Sequence, residues 1–160
     1  IGALLGKIVA ALFFMLVFIP LRSTAGGYHC ETAGKCYLLS MAVYLAVILT
    51  YECVSIAPSY VCVFICVIDF AAIIILSPVV SPNKPFTAKE KIKNRRISIV
   101  LSLIYITAIL VMLNCKSIYA FVILEILTVA VVSMIAGFIK YKKAPKTTIA
   151  KILAEMLLDG

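Results

Sequence analysis

The sequence predicts an all-α membrane protein, a polytopic bundle of about five transmembrane helices, and two observations lead to this fold class. First, 64% of the 160 residues are hydrophobic and 14% are charged, whereas soluble domains are roughly 45–50% apolar and about 25% charged. Second, the apolar residues occur in five runs, each near the length of about 20 residues that a helix needs to cross a membrane. Because so short a chain cannot bury this much apolar surface in a soluble core, we expect lipid to surround it.

The five runs are separated by residues that favour turns. The runs cover residues 1–21, 37–56, 59–80, 97–113 and 117–139. The residues that favour turns are Pro20, Gly26, Gly27, Pro58, Pro78, Pro82, Pro85 and the stretch 114–116. The first run includes Lys7, whose charged end we expect to reach the membrane surface or a polar partner. Since residue 1 is an isoleucine, we also expect an N-terminal portion of the protein to precede this sequence.

Lysine and arginine are unevenly distributed among the connections, and this predicts the orientation. The segment 81–96 carries six of them and the tail 140–160 carries five, whereas the two turns on the other side hold only Lys116. Cytoplasmic loops are enriched in these residues, so the basic segment and the tail are predicted to be cytoplasmic. Counting the crossings places the segment 22–36 on the same side. Residues 147–158 suit either an amphipathic helix on the membrane surface or a frayed tail.

The six cysteines and the net charge of +8 do not indicate a secreted scaffold or a nucleic-acid-binding protein. The cysteines form no CxxC pair, and most lie in or at the ends of apolar runs, so we expect no disulfide framework. The positive charges lie between apolar runs, and no nucleic-acid motif or glycine-rich phosphate loop is present. We therefore expect a lipid bilayer, and no nucleic acid, as a partner.

The residues best suited to chemistry lie in the segment 22–36, which contains His29, the only histidine, together with Cys30 and Cys36. A neighbouring imidazole is the usual group that converts a cysteine thiol into the nucleophilic thiolate. On one unbroken helix His29 and Cys36 would be two turns apart, about 10.5 Å, too far for a hydrogen bond. A catalytic pair therefore requires a break between them, which Gly34 would allow. Cys30 is a rival nucleophile. The alternative to a catalytic pair is that a histidine and a cysteine lie in one loop by chance and have no catalytic role.

These residues also resemble a known family. The motif Gly26-Gly27-Tyr28-His29, followed by Cys36 and then by Ser40, is similar to that of the accessory gene regulator B (AgrB) peptidases of Gram-positive bacteria. The later stretch 77–85, rich in proline and followed by lysine and arginine, resembles the basic cytoplasmic loop of that family. The resemblance covers residues 22–139, with apolar runs between the two motifs.

The resemblance implies a cysteine endopeptidase in the bacterial cell membrane, forming one multi-pass domain over residues 1–160. Such an enzyme cleaves the C-terminal tail from an autoinducing peptide precursor (AgrD-like) through a thioester, and it promotes cyclisation of the peptide to a thiolactone for quorum sensing. His29 and Cys36 inherit the roles of base and nucleophile, on the cytoplasmic face and with no cofactor or metal. We also expect a homodimer. Cys30 stands where alanine is commoner in the family.

Several further residues are candidates for supporting roles. Gly27 and Ser40 lie beside the motif, although a serine at position 40 is equally suited to bonding its own helix. Asp69 lies within the third run, where an ionisable residue is costly; it would orient His29, bind substrate, pair with Lys7 or stay protonated. The basic residues are expected to attract an acidic segment of the precursor, besides setting the topology. They are Lys84, Lys89, Lys91, Lys93, Arg95 and Arg96.

Two other classes of function remain as alternatives. A small membrane transporter or channel subunit would use Asp69, Glu52 and Glu125 as polar sites within the membrane. A metal-binding membrane protein would use His29, Cys30 and Cys36 as ligands, although the sequence offers no obvious fourth ligand. In the peptidase interpretation Glu52 and Glu125 are structural or interfacial.

Overall fold

The computed structural model describes residues 7–28, 30, 32–80 and 86–143, and this part of the chain contains five long α-helices. They are α1 (Ile8–Ala25), α2 (Ala33–Val54), α3 (Ser59–Leu76), α4 (Ala88–Asn114) and α5 (Tyr119–Lys143). Each is long and apolar enough to cross a membrane. The predicted all-α multi-pass bundle is therefore confirmed. His29, Lys84 and the tail 144–160 lie outside the described residues.

Helix α5 is the centre of the bundle, because it packs against all four other helices. Its inward side chains, such as Ile126, Leu127 and Met134, are buried. Large apolar side chains of the outer helices, including Leu16 and Phe64, are exposed instead. Lipid tails are as apolar as these side chains, so the helices are held together by close packing and polar contacts instead of by exclusion from water.

The ends of α1, α3 and α5 lie together with the start of α4, whereas the start of α1 lies beside the end of α2, so the bundle has two chemically different ends. We call the end where α1, α3 and α5 finish and α2 and α4 begin the basic end. Its described lysines and arginines are Arg22, Lys35, Lys89, Lys91, Lys93, Arg95, Arg96, Lys140, Lys142 and Lys143. Near the opposite end, Lys7 forms an ion pair with Glu52 at 3.0 Å and donates to the Ile48 carbonyl. Lys7 thus has a polar partner, as expected, and that partner is Glu52.

Helix α4 begins at Ala88, well before the first residue of the predicted apolar run at 97. The cause is a capping box: the Thr87 hydroxyl accepts a hydrogen bond from the Glu90 amide, and the Glu90 carboxylate accepts one from the Thr87 amide at 2.8 Å. Most of the basic segment that was expected to be a loop is consequently helical. Hydropathy identifies only the apolar part of a helix, which explains the difference.

Candidate active site

The chain leaves α1 at the basic end through two glycines that the packing requires. Gly26 forms an isolated parallel bridge with Val79, and the Val79 amide donates to the Ala25 carbonyl at 2.9 Å. Gly26 has φ of 75°, and a Cβ atom there would lie 2.2 Å from the Val79 carbonyl oxygen. Only glycine fits this conformation and this contact. The bridge ties the end of α1 to the segment that follows α3.

The next residues lie directly on α5. The Tyr28 amide donates to the Ser133 carbonyl at 2.9 Å. Gly27 has φ of 138°, and a Cβ atom there would lie 2.6 Å from Nη1 of Arg22 and 2.9 Å from the Ser133 hydroxyl oxygen. A Cβ atom at Gly137 would lie 2.7 Å from the Gly27 carbonyl carbon. The two glycines therefore allow the segment and α5 to touch backbone to backbone, as small residues do where helices approach closely in membranes.

Arg22 holds the same segment from the α1 side. One guanidinium nitrogen (Nη1) donates to the Ser133 hydroxyl at 2.5 Å, and the other (Nη2) donates to the Tyr28 carbonyl. A guanidinium is planar and carries its donors in a fixed fork, so it connects two acceptors at a defined distance. Arg22 and Ser133 thus fix the backbone of Tyr28, the residue before His29.

The Tyr28 side chain is also held by α5. The ammonium group of Lys140 lies 4.5 Å from the centre of the Tyr28 ring and donates to its hydroxyl at 3.4 Å. A cation above an aromatic face is attracted by the negative charge of the ring face. Both the backbone and the ring of Tyr28 are therefore positioned by α5.

Helix α2 begins only after this segment, with Thr32 as its N-cap. The Thr32 hydroxyl accepts a hydrogen bond from the Lys35 amide at 3.4 Å, and the backbone of Thr32 is extended. The break required between His29 and Cys36 is therefore present, but it lies between Ala25 and Ala33. Gly34, which was expected to supply the break, is inside α2 with open space around it. Gly26 and Gly27 instead shape the part of the non-helical segment that precedes His29.

Cys36 lies at the end of the first turn of α2, where its amide donates to the Thr32 carbonyl at 3.2 Å, and it is half-buried. Cys30, the rival nucleophile, is also half-buried and lies outside both helices. Because His29 lies outside the described residues, the pairing of His29 with either cysteine stays a prediction.

Ser40 takes the local hydrogen bond that its position in a helix favours. Its hydroxyl donates to the Cys36 carbonyl at 3.0 Å. Ser40 also lines a cavity of about 290 Å³ between α1, α2 and α5, and Tyr28 lines the same cavity. The other lining residues are mostly apolar: Phe18, Arg22, Leu39, Val43, Val129, Val132, Ser133 and Ala136. The residue before His29 and the residue one turn after Cys36 therefore meet at one apolar cavity.

Asp69 lies elsewhere in the bundle. It is 3% exposed, it accepts a hydrogen bond from the Thr128 hydroxyl at 2.8 Å, and it does not line the cavity beside Ser40. Glu125 accepts a hydrogen bond from Thr50, and Glu52 is paired with Lys7. Each of the three carboxylates thus makes a contact between helices.

The basic residues at the start of α4 divide into two faces. Lys91 and Arg95 are four residues apart and share one face, and Arg95 donates to the Ile74 carbonyl of α3 at 3.1 Å. The second face contains Lys89, Lys93 and Arg96, which are exposed. The expected binding of an acidic segment to these residues, and to Lys84, stays a prediction.

Sequence reasoning missed the residues of α5 that support the segment, namely Ser133, Gly137 and Lys140. The spacing of Ser133 and Gly137 is the small-xxx-small pattern of close packing in membranes, and that signal was available. Arg22 was also not singled out as a residue that positions Tyr28. Among the described residues, no three His, Cys, Asp or Glu side chains are grouped as they would be around a metal ion.

A family model described as Accessory gene regulator B matches residues 1–135. This range includes the glycine motif, His29, Cys36, Ser40, Asp69 and the basic start of α4. No curated protein and no solved structure matches the chain.

Proposed function

The chain belongs to the accessory gene regulator B family, which processes quorum-sensing peptides, and we propose that it acts there as a membrane-embedded cysteine endopeptidase. Its substrate is the precursor of an autoinducing peptide, from which it removes the C-terminal tail. The basic end of the bundle faces the cytoplasm, in accordance with the excess of lysine and arginine at that end.

In the proposed reaction, His29 takes the thiol proton of Cys36, and the thiolate attacks the carbonyl carbon of the scissile peptide bond. The C–N bond breaks as His29 returns the proton to the leaving amine, and the peptide remains on Cys36 as a thioester. A cysteine thiol of the precursor then attacks the thioester, which releases a cyclic thiolactone and regenerates Cys36. The second step exchanges one thioester for another, so it is nearly balanced in free energy. Removal of the tail or of the ring drives the first step.

The observation that carries this proposal is that Tyr28 and Ser40 line the same cavity. Tyr28 directly precedes His29, and the Ser40 hydroxyl donates to the Cys36 carbonyl at 3.0 Å. The neighbours of both candidate catalytic residues therefore converge at one place, although α1 and α2 are separated by a non-helical segment. This convergence supports a shared site for His29 and Cys36.

The cavity also suggests what the substrate presents to the enzyme. About 290 Å³ is near the lower limit of ordinary ligand pockets, and the wall is largely apolar. We infer that it accepts an apolar side chain of the precursor next to the cleaved bond. The exposed face of Lys89, Lys93 and Arg96 is available for an acidic part of the same precursor.

The assignment of the catalytic pair is tested by co-expressing a candidate precursor with four forms of the protein: wild type, Cys36→Ser, His29→Ala and Cys30→Ser. Mass spectrometry then shows whether the precursor loses its tail. We expect cleavage by wild type and by Cys30→Ser, and an intact precursor with the other two. Cleavage at the wild-type level by Cys36→Ser or His29→Ala would show that the assigned pair is wrong.

The inference about the cavity is tested by a matched pair of substitutions. Ala136→Leu adds volume inside the cavity, whereas Ala42→Leu adds the same volume at an exposed position of α2 outside it. We expect the first to lower kcat/KM for the precursor about tenfold or more, and the second to leave it within about twofold. Equal values for the two variants would contradict the proposed location of the substrate side chain.

A further inference from the structure

A second cavity lies at the basic end, between the segment after α3, the first turns of α4 and the last turns of α5. Its volume is about 460 Å³. The lining residues combine cationic, hydroxyl and apolar groups: Ile75, Leu76, Ser77, Pro78, Val79, Val80, Lys91, Arg95, Phe138, Tyr141 and Lys142. The cavity therefore differs in chemistry from the apolar cavity beside Ser40.

Three cationic side chains from two helices converge on this cavity, namely Lys91, Arg95 and Lys142. No carboxylate is among its described lining residues. Arg95 uses one nitrogen (Nη2) to reach the Ile74 carbonyl at 3.1 Å, which leaves other guanidinium donors for a ligand. Positive charges held close together repel each other. An anion bound between them would relieve this repulsion and would accept charge-assisted hydrogen bonds.

The Ser77 hydroxyl is an independent sign of a ligand. Ser77 is 5% exposed, it lines this cavity, and its side-chain oxygen has no hydrogen-bond partner within the described part of the chain. Buried hydroxyl groups are almost always paired, because an unpaired one loses its hydration without compensation. An anionic oxygen in the cavity would accept the missing hydrogen bond.

The surroundings of the cavity indicate that the ligand has an apolar part as well. Ile75 of α3 is 77% exposed and Phe138 of α5 is 45% exposed, and both line the cavity. These side chains belong to the outward, lipid-facing surfaces of two membrane-spanning helices. A molecule bound to the cations at this level therefore extends along hydrocarbon-facing surface.

We propose that this cavity binds the phosphodiester headgroup of an anionic phospholipid, with the acyl chains lying against α3 and α5. The lipid phosphate would accept hydrogen bonds from Ser77 and from the three cationic side chains. Basic pockets between transmembrane helices at a membrane surface are suited to such headgroups. The proposal goes beyond the peptidase function and does not depend on it.

The geometry of α4 favours a lipid over an acidic peptide in this cavity. Lys91 and Arg95 are turned about 200° around the helix from the face of Lys89 and Lys93, since each residue advances by about 100°. All four side chains are exposed, but Lys91 and Arg95 line the cavity, whereas Lys89 and Lys93 are not among its lining residues. Arg95 also donates to the Ile74 carbonyl of α3. A lipid and an acidic peptide would therefore use different faces of the same helix.

This division supplies a matched control for the experiment. The double variants K91Q/R95Q and K89Q/K93Q each remove two positive charges from the same stretch of about two turns of α4. The full chain, purified from zwitterionic detergent, is titrated with phosphatidylglycerol and with phosphatidylcholine, and bound lipid is counted by native mass spectrometry. Thermal unfolding by far-UV circular dichroism shows whether each variant is folded.

We expect wild type to bind phosphatidylglycerol in preference to phosphatidylcholine. K91Q/R95Q should weaken the binding of phosphatidylglycerol about tenfold or more, since it removes charge-assisted contacts. K89Q/K93Q should change it by less than about twofold, because these two side chains do not line the cavity and act on the ligand only through solvent, where charges are screened. Ser77→Ala, which changes no charge, should weaken the same binding by a smaller factor.

Three results would overturn the proposal. Equal loss of lipid binding in both double variants would show that the lipid is attracted by the overall positive charge of α4 and is not bound in this cavity. Displacement of phosphatidylglycerol by inorganic phosphate at similar concentration would show an anion site to which the acyl chains contribute nothing. A glutamate-rich peptide that loses binding in K91Q/R95Q, while phosphatidylglycerol binding is unchanged, would assign the cavity to an acidic peptide.

Discussion

Replacing Gly137 with alanine gives the sharpest test of the idea that α5 supports the candidate catalytic segment. A Cβ atom at position 137 would lie 2.7 Å from the Gly27 carbonyl carbon and 2.8 Å from the Tyr28 nitrogen. Ordinary contacts begin at 3.4 Å, so the segment must move away from α5 by about 0.7 Å. Both facing groups are backbone atoms, which cannot yield by rotating a side chain.

The displacement sets the expected magnitude. Overpacking of this kind costs about 1–3 kcal/mol of stability, and alanine returns about 0.5–1 kcal/mol through its better helix propensity. The net loss is therefore at most about 2.5 kcal/mol, so the protein should remain folded. A misplacement of about 1 Å in groups that position a reaction can reduce the rate about 100-fold. We expect Gly137→Ala to lower precursor turnover by about that factor.

Gly34→Ala is the matched control, because it makes the same change between His29 and Cys36. A Cβ atom at position 34 would meet nothing within 4 Å, and the residue is helical. We expect a gain in stability of about 0.5–1 kcal/mol and turnover within about twofold of wild type. If only Gly137→Ala lowers turnover, the contact between residue 137 and the backbone of the segment is the cause. Closeness in sequence to His29 and Cys36 would then not be sufficient, because Gly34 lies between them.

The assay is turnover of a synthetic precursor by protein reconstituted in liposomes, followed by mass spectrometry. Hydrogen exchange of the Tyr28 amide provides a second measurement, since this amide donates to the Ser133 carbonyl at 2.9 Å. It should exchange faster in Gly137→Ala. Wild-type turnover together with wild-type exchange at Tyr28 would refute the reasoning.

Two further predictions concern the charged residues near the bundle interior. Arg22→Lys keeps the charge but removes the guanidinium group that donates to both the Ser133 hydroxyl and the Tyr28 carbonyl. We therefore expect kcat to fall about tenfold while the protein stays folded. The same turnover assay checks it, and an unchanged kcat would show that the two contacts do not position the segment. Asp69→Asn retains an oxygen that accepts from Thr128, so we expect turnover within about twofold of wild type and an unchanged midpoint of thermal unfolding. A fall of about 100-fold would instead place Asp69 in the reaction.

The lengths and composition of the apolar runs were sufficient to predict the five helices. A helix in hydrocarbon must satisfy its own backbone hydrogen bonds and must be long enough to cross the membrane. Both requirements can be recognised from the length and composition of a run of residues. The beginning of α4 was missed for a related reason. Its first turns are charged, and they are helical because Thr87 and Glu90 cap them. That signal was in the sequence, but hydropathy does not measure it.

By itself, the sequence determined the fold class, the number of spans and the motif that contains His29 and Cys36. Only the tertiary structure decided that Ser133 and Gly137 face the glycine motif, that Tyr28 and Ser40 share a cavity, and that Lys91 and Arg95 line another cavity with Lys142. The physical reason is that lipid and protein interior are equally apolar. The hydrophobic pattern around a membrane helix is then nearly uniform, so it does not show which side faces a neighbour. Close backbone approach and convergent polar groups decide that choice, and they exist only once the helices are packed.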